Sequence, residues 1–150
     1  EIDMATSTLI QLLAEGQGID TSNRRQVETF LANGAIAKGD WVQFDTSKTG
    51  PDRLLFVVEA GGNATGNGLV CGVALAAAAA GDQVRVVVAG YAEGASVANA
   101  VAGAAVPLVV DATAAGQAVA IAAADLAPPC GISLEAASGN FADVLVYKNF

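Results

Sequence analysis

Short apolar runs separated by glycine, proline and aspartate predict a protein built from β-strands. The run Trp41–Phe44 follows the turn signal Lys38-Gly39-Asp40, and a second run at residues 53–58 lies between Pro51 and Gly61. Further short runs rich in valine or alanine occupy residues 83–89, Pro107–Val110, 118–122 and 143–147. This spacing predicts an all-β fold, either a small barrel or a sandwich.

The first 33 residues follow a different pattern, and we expect an N-terminal arm at 1–33 before a β domain at 34–150. The arm carries apolar residues at helical spacing, namely Leu9, Ile10, Leu12 and Leu13, with Gly16 to end the helix. A helix this short does not persist alone in water, so its leucines need a surface. Two alternatives stay open: the helix covers an open end of its own barrel, or it reaches a neighbouring subunit.

Comparison of the chain with itself predicts two copies of one β-unit, at about 34–91 and 103–150. The segment that begins with Cys71-Gly72 matches the segment that begins with Cys130-Gly131. Each continues through small residues and a glycine to a valine-rich run. We therefore predict that the two cysteines occupy equivalent buried strand positions and form no disulfide.

A second match lies upstream, where Asp45 precedes Gly50 at the spacing at which Asp111 precedes Gly116. Aspartate at the end of a strand accepts hydrogen bonds from backbone N–H groups just ahead and fixes a turn. A calcium loop needs several carboxylates at alternating positions, and neither copy has them. These four residues are therefore predicted to form structural turns. Unit one is longer mainly because of a Gly/Asn-rich insertion at 61–68.

Composition narrows the function classes. The chain has 150 residues, no histidine and a net charge of −8, so its surface repels phosphate backbones and we expect no nucleic-acid partner. Without histidine, and with two cysteines, no catalytic triad or zinc site can be assembled, and we predict a non-enzyme with no cofactor and no metal. The apolar stretch that starts at Leu69 ends at Asp82, which is too short for a membrane span.

Residues 34–42, Gly-Ala-Ile-Ala-Lys-Gly-Asp-Trp-Val, and residues 71–86 resemble head-decoration (capsid cement) proteins of tailed bacteriophages. Those proteins repeat an apolar Gly-Val-Ala-Leu strand, small residues, Gly-Asp or Gly-Glu, and a valine-rich strand. The stretch 131–146 is similar to their usual C-terminus, so the resemblance covers about 34–150. The N-terminal arm and the insertion at 61–68 depart from the pattern.

The resemblance implies a viral structural protein that binds the outer surface of an assembled capsid and stabilises it by clamping neighbouring subunits. Its partners would be the major capsid protein and itself, as a homotrimer at three-fold and quasi-three-fold positions. It would be made in the host cytoplasm and end on the outside of the virion. Candidate contacts to the capsid or a neighbouring subunit lie in the arm: Leu9, Ile10, Leu12, Leu13, Arg24 and Arg25.

Two other function classes remain open at this point. One is a β-rich binding or adhesion module that recognises a small ligand or glycan through its loops. The other is an accessory domain of an enzyme. Binding in many copies to a repeating shell would favour the capsid role, whereas a monomer with a deep pocket lined by loops would favour the binding module.

Overall fold

The fold is all-β, as predicted, across the residues that the computed structural model describes, which are 25–61, 69–123, 125 and 128–150. In this part of the chain the helical element is a short 3₁₀ turn, Gly50–Leu54. The strands are β1 Arg25–Ala32, β2 Trp41–Phe44, β3 Phe56–Glu59, β4 Val70–Ala74, β5 Gln83–Ser96, β6 Pro107–Val110, β7 Ala118–Ala120, β8 Gly131–Ser133 and β9 Phe141–Val146.

The first five strands close into a barrel. Their order is β1-β3-β2-β4-β5, and β1 also pairs with β5, which joins the two ends of the sheet. The pairing of β1 with β3 is parallel, and the other pairings in the ring are antiparallel. A closed ring leaves no unpaired strand edge, and it encloses one of the two apolar cores.

The same ring is built a second time from the rest of the chain. The C-terminal half of β5 pairs with β9, and the sheet continues through β8 and β6 to β7. A parallel bridge between Val97 and Ala118 closes this second ring, at the place where Ala32 pairs with Val57 in the first. The long strand β5 therefore serves both rings, its first half in one and its second half in the other.

The two interiors correspond position by position. The interior of the first ring consists of Phe30, Ala32, Ile36, Val42, Phe44, Val57, Cys71, Ala74, Val84, Val86 and Val88. The equivalent buried residues of the second are Ala95, Val97, Val101, Leu108, Val110, Ala118, Cys130, Ser133, Ala142, Val144 and Val146. The second interior holds alanine and valine where the first has two phenylalanines. The predicted repeat is therefore present in the fold.

Because of the strand β1, the boundaries of the two units and of the arm differ from those predicted. We expected an arm at 1–33 and units at 34–91 and 103–150. Instead, Arg25–Ala32 pairs with β5 along its length and belongs to the barrel. The units are 25–89 (unit one) and 90–150 (unit two), because the C-terminal half of β5 is the counterpart of β1. These two stretches have little sequence in common, which is why self-comparison did not find them.

Candidate functional site

In both predicted turns the aspartate accepts hydrogen bonds from the residue two positions ahead, and Asp45 also accepts one from the side-chain amide of Asn33. One carboxylate oxygen of Asp45 accepts from the backbone N–H of Ser47 at 2.9 Å and from its hydroxyl at 2.7 Å. The carboxylate of Asp111 accepts from the N–H of Thr113 at 2.7 Å and from its hydroxyl at 2.8 Å. The hydrogen bonds to Ser47 hold the pKa of Asp45 below its usual value, and those to Thr113 do the same for the pKa of Asp111. Both carboxylates thus accept hydrogen bonds from neighbouring protein groups, as expected of residues that fix a turn.

The glycines that follow these aspartates lie in different surroundings. Both have positive φ, +59° at Gly50 and +73° at Gly116, where residues with a Cβ are disfavoured. A Cβ on Gly50 would meet open space, whereas one on Gly116 would lie 2.9 Å from the carboxylate carbon of Asp40. The turn of unit two is therefore packed against unit one, and the turn of unit one is exposed.

Trp41 lies where the two units meet. Its side chain is fully buried, and its indole N–H donates to the carbonyl oxygen of Ser96 in unit two at 3.0 Å. The backbone adds two hydrogen bonds beside it, from Trp41 N–H to the carbonyl of Gly116 and from Gly116 N–H to the carbonyl of Ala60. The tryptophan belongs to the same apolar cluster as the interior of unit two. Unit one and unit two thus share a packed interface.

Two carboxylates also lie at this interface. Burial, together with a hydrogen bond to Asp40, raises the pKa of Glu59 above its usual value. A pair of acids can support glycoside chemistry when substrate lies between them. Here the turn at Gly116 packs directly on the carboxyl group of Asp40, so the protein itself occupies space beside Asp40 that a substrate would need.

The cysteine thiols are buried and unbridged. Cys71 donates from Sγ to the carbonyl oxygen of Val42 at 3.4 Å, and Cys130 donates to the equivalent carbonyl of Leu108 at 3.3 Å. Burial raises the pKa of each thiol to about 12. Because the thiolate is the nucleophile, these positions favour packing over reactivity.

An exposed apolar face of unit two was missed in the sequence. We call it the outer face. It consists of Tyr91, Pro107, Ile121, Pro129, Ile132, Leu134 and Leu145, all exposed or half-buried. In unit one the equivalent residues are Val27, Trp41, Ala60, Val70, Val73, Leu75 and Val87, and these pack on the core that joins the units. Alignment of the repeats could have shown that both faces are apolar, but not that one of them is uncovered.

The predicted contact residues lie mostly beyond what the structure describes. Leu9, Ile10, Leu12, Leu13 and Arg24 are outside the described residues. Arg25 is the first residue of β1, where its Cα pairs with that of Gly90. Within the described ranges, no group of three His, Cys, Asp or Glu residues is arranged to hold a metal ion. Over the same part of the chain, the search for helices long and apolar enough to cross a membrane found none.

Comparison with known proteins finds matches at the level of structure. No protein-family model and no curated protein sequence matches the chain. A chain in the structure of the capsid of Myoviridae phage XM1 aligns with a TM-score of 0.59 and 18% identity, covering 84% of this chain and 85% of that one. The N base of the head fibre protein gp8.5 of bacteriophage phi29 aligns with a TM-score of 0.50 and 16% identity, covering 82% and 94%.

The chain shares its fold with components of two bacteriophage heads. The resemblance seen in the sequence is therefore confirmed at the level of the fold. Since both alignments span most of each chain, the shared part is the two-ring body rather than a single β-motif.

Proposed function

We propose that the protein binds the outer surface of an assembled phage capsid as a homotrimer and stabilises the shell by clamping neighbouring major capsid subunits. A ligand that binds the assembled lattice and not its separate subunits stabilises that lattice by mass action. The shared fold with a phage capsid chain and a head-fibre base carries this proposal, because it extends over more than four-fifths of the chain.

The surface charge supports a position outside the shell. The inside of a filled head faces packed nucleic acid, and binding there would require clustered cations. This chain has fifteen acidic against seven basic residues. An acidic protein is repelled by phosphate backbones, whereas the outer surface of the shell places no such demand on it.

A structural role without catalysis agrees with the chemistry of the described residues. The two thiols are buried with pKa values of about 12, which leaves almost no thiolate at neutral pH. The two strand-end aspartates are engaged in turns. What the described surface offers instead is exposed apolar area, which is a feature of binding to other proteins.

Co-sedimentation with phage heads tests the proposal. Purified protein is mixed with heads that lack it and with the separated capsid subunits, and bound copies per particle are counted. We expect saturable binding in many copies to intact heads, weak binding to free subunits, and heads that withstand more heat or chelator after binding. Absence of binding to intact heads, together with specific binding to immobilised glycans, would instead support a ligand-binding module.

The arm can be tested in the same assay. Because β1 begins at Arg25, deletion of residues 1–23 leaves every described strand intact. We expect the truncated protein to keep its β-sheet circular dichroism and to bind heads more weakly, since Leu9, Ile10, Leu12 and Leu13 are lost. Unchanged affinity would remove the arm from the capsid contact.

A further inference from the structure

The outer face of unit two is the counterpart of a surface that the protein itself covers. Strand register fixes the equivalence: Val73 pairs with Val87 in unit one, as Ile132 pairs with Leu145 in unit two. Val87 is fully buried, whereas Leu145 is 38% exposed and nearby Leu134 is 44% exposed. The chain thus shows in unit one how such a face is buried, and leaves the second one open.

The face of unit one packs on buried residues of unit two, and an edge of unit two, formed by Ser96 and the turn at Gly116, meets it along one side. It meets the face through four hydrogen bonds: Ser96 N–H to Gly39 O, Trp41 N–H to Gly116 O, Gly116 N–H to Ala60 O, and the indole of Trp41 to Ser96 O. A head-to-tail contact of this kind uses two different surfaces, a face and an edge.

Unit one carries the corresponding edge, and it is exposed. The turn at Gly50 is the counterpart of the turn at Gly116, and here it is extended by the 3₁₀ turn. The extension presents Leu54, which is 64% exposed, and Leu55, which is 44% exposed. We call residues 48–55 the Gly50 edge. One end of the molecule thus has an open apolar face. The other has the counterpart of the turn that meets such a face, enlarged by the exposed Leu54 and Leu55, which the turn at Gly116 lacks.

Charge is complementary between the two surfaces. The Gly50 edge carries Lys48 and Arg53 against Asp52, a net charge of +1. Beside the outer face lie Asp143, which accepts hydrogen bonds from Tyr91 and Gly94, and Glu135, which accepts one from the N–H of Asp143. Opposite charges at the rim favour this pairing over face against face.

We propose that the outer face of unit two binds the Gly50 edge of a second copy of this chain, head to tail. The proposal names the surface for the self-association suggested above and rests on that self-association, but it does not depend on capsid binding. A repeated head-to-tail contact closes into a ring when its rotation allows, and three copies would give a ring of six similar units.

Sedimentation velocity on the full 150-residue chain, over a series of protein concentrations, tests this. Leu145→Asp places a charge on the face, and Leu55→Asp places one on the edge. Leu134→Asp is a second face variant, and Leu69→Asp is the matched control, because Leu69 is 45% exposed and belongs to neither surface. Circular dichroism checks that each variant is folded.

We expect the wild type and Leu69→Asp to self-associate and each face or edge variant to do so at least tenfold more weakly. A mixture of Leu145→Asp with Leu55→Asp should form a one-to-one heterodimer, because one intact face still meets one intact edge. If the wild type stays monomeric at every concentration, both self-association and the face assignment fail.

Two other results leave self-association standing and overturn, respectively, the face assignment and the edge assignment. In one, the wild type associates and both face variants associate equally well. In the other, Leu55→Asp associates normally while the face variants do not, which would indicate contact of face with face.

Discussion

Replacing Trp41 tests whether the two units fold as one body. Trp41→Ala removes a fully buried side chain and leaves the carbonyl of Ser96 without its indole donor. Truncating a buried aromatic residue to alanine costs about 3–5 kcal/mol, and the lost hydrogen bond adds about 1 kcal/mol. We expect a total loss of about 4–6 kcal/mol. That is a large share of the roughly 5–15 kcal/mol by which such proteins are stable.

The assay is urea unfolding followed by circular dichroism. With a slope of roughly 2 kcal/mol per molar urea, the midpoint should fall by about 2–3 M. Trp41→Phe keeps a ring in place and should lose about half as much. Pro107 is the counterpart of Trp41 in unit two and is exposed, so Pro107→Ala should cost less than about 1 kcal/mol. A loss below about 1 kcal/mol for Trp41→Ala, or an equal loss for Pro107→Ala, would refute the interface described above.

Three further tests probe other parts of the fold by urea unfolding. Gly72→Ala should destabilise the protein by at least about 2 kcal/mol, because the new Cβ would lie 2.0 Å from the carbonyl oxygen of Val87. Gly34→Ala is the control and should be nearly neutral, because its Cβ would meet nothing within 4 Å. Equal losses of stability in the two variants would contradict this packing. Asp45→Ala should cost about 1–3 kcal/mol at neutral pH. Because the pKa of Asp45 is lowered in the fold, its contribution should fade as pH drops through and below 3.8, and a loss independent of pH would contradict the turn. Because burial raises the pKa of both thiols from 9.0 to about 12, stability should fall as pH rises above 9, and it should fall less steeply in the double variant Cys71→Ala, Cys130→Ala. The same slope in the double variant would show that the thiols are not its source.

The repeat was predictable because its markers are local. The Cys-Gly pairs, the aspartates and the positive-φ glycines each perform the same task twice, and the sequence keeps them at similar spacings. The counterpart of β1 could not be found in this way. The strand β1 has mostly polar residues in its first half and ends in Phe-Leu-Ala, whereas the matching half of β5 is rich in alanine and glycine, because the interior of unit two is filled by smaller side chains.

The apolar run at residues 53–58 predicted a strand that in the structure begins three residues later. The strand β3 begins only at Phe56, and the 3₁₀ turn that starts at Gly50 takes up residues as far as Leu54. Proline is compatible with the first turn of a helix and donates no hydrogen bond to a sheet, so Pro51 favours the 3₁₀ turn. The result is a pair of exposed leucines, and whether such residues are covered depends on contacts between distant parts of the chain or between chains.

Cryo-electron microscopy of phage heads incubated with the purified protein tests the proposed function most directly. We predict additional density on the outer surface, at three-fold and quasi-three-fold positions, with three copies of the two-ring body at each and contacts to neighbouring capsid subunits. Density on the inner surface, isolated single copies at five-fold positions, or heads with no added density would contradict it.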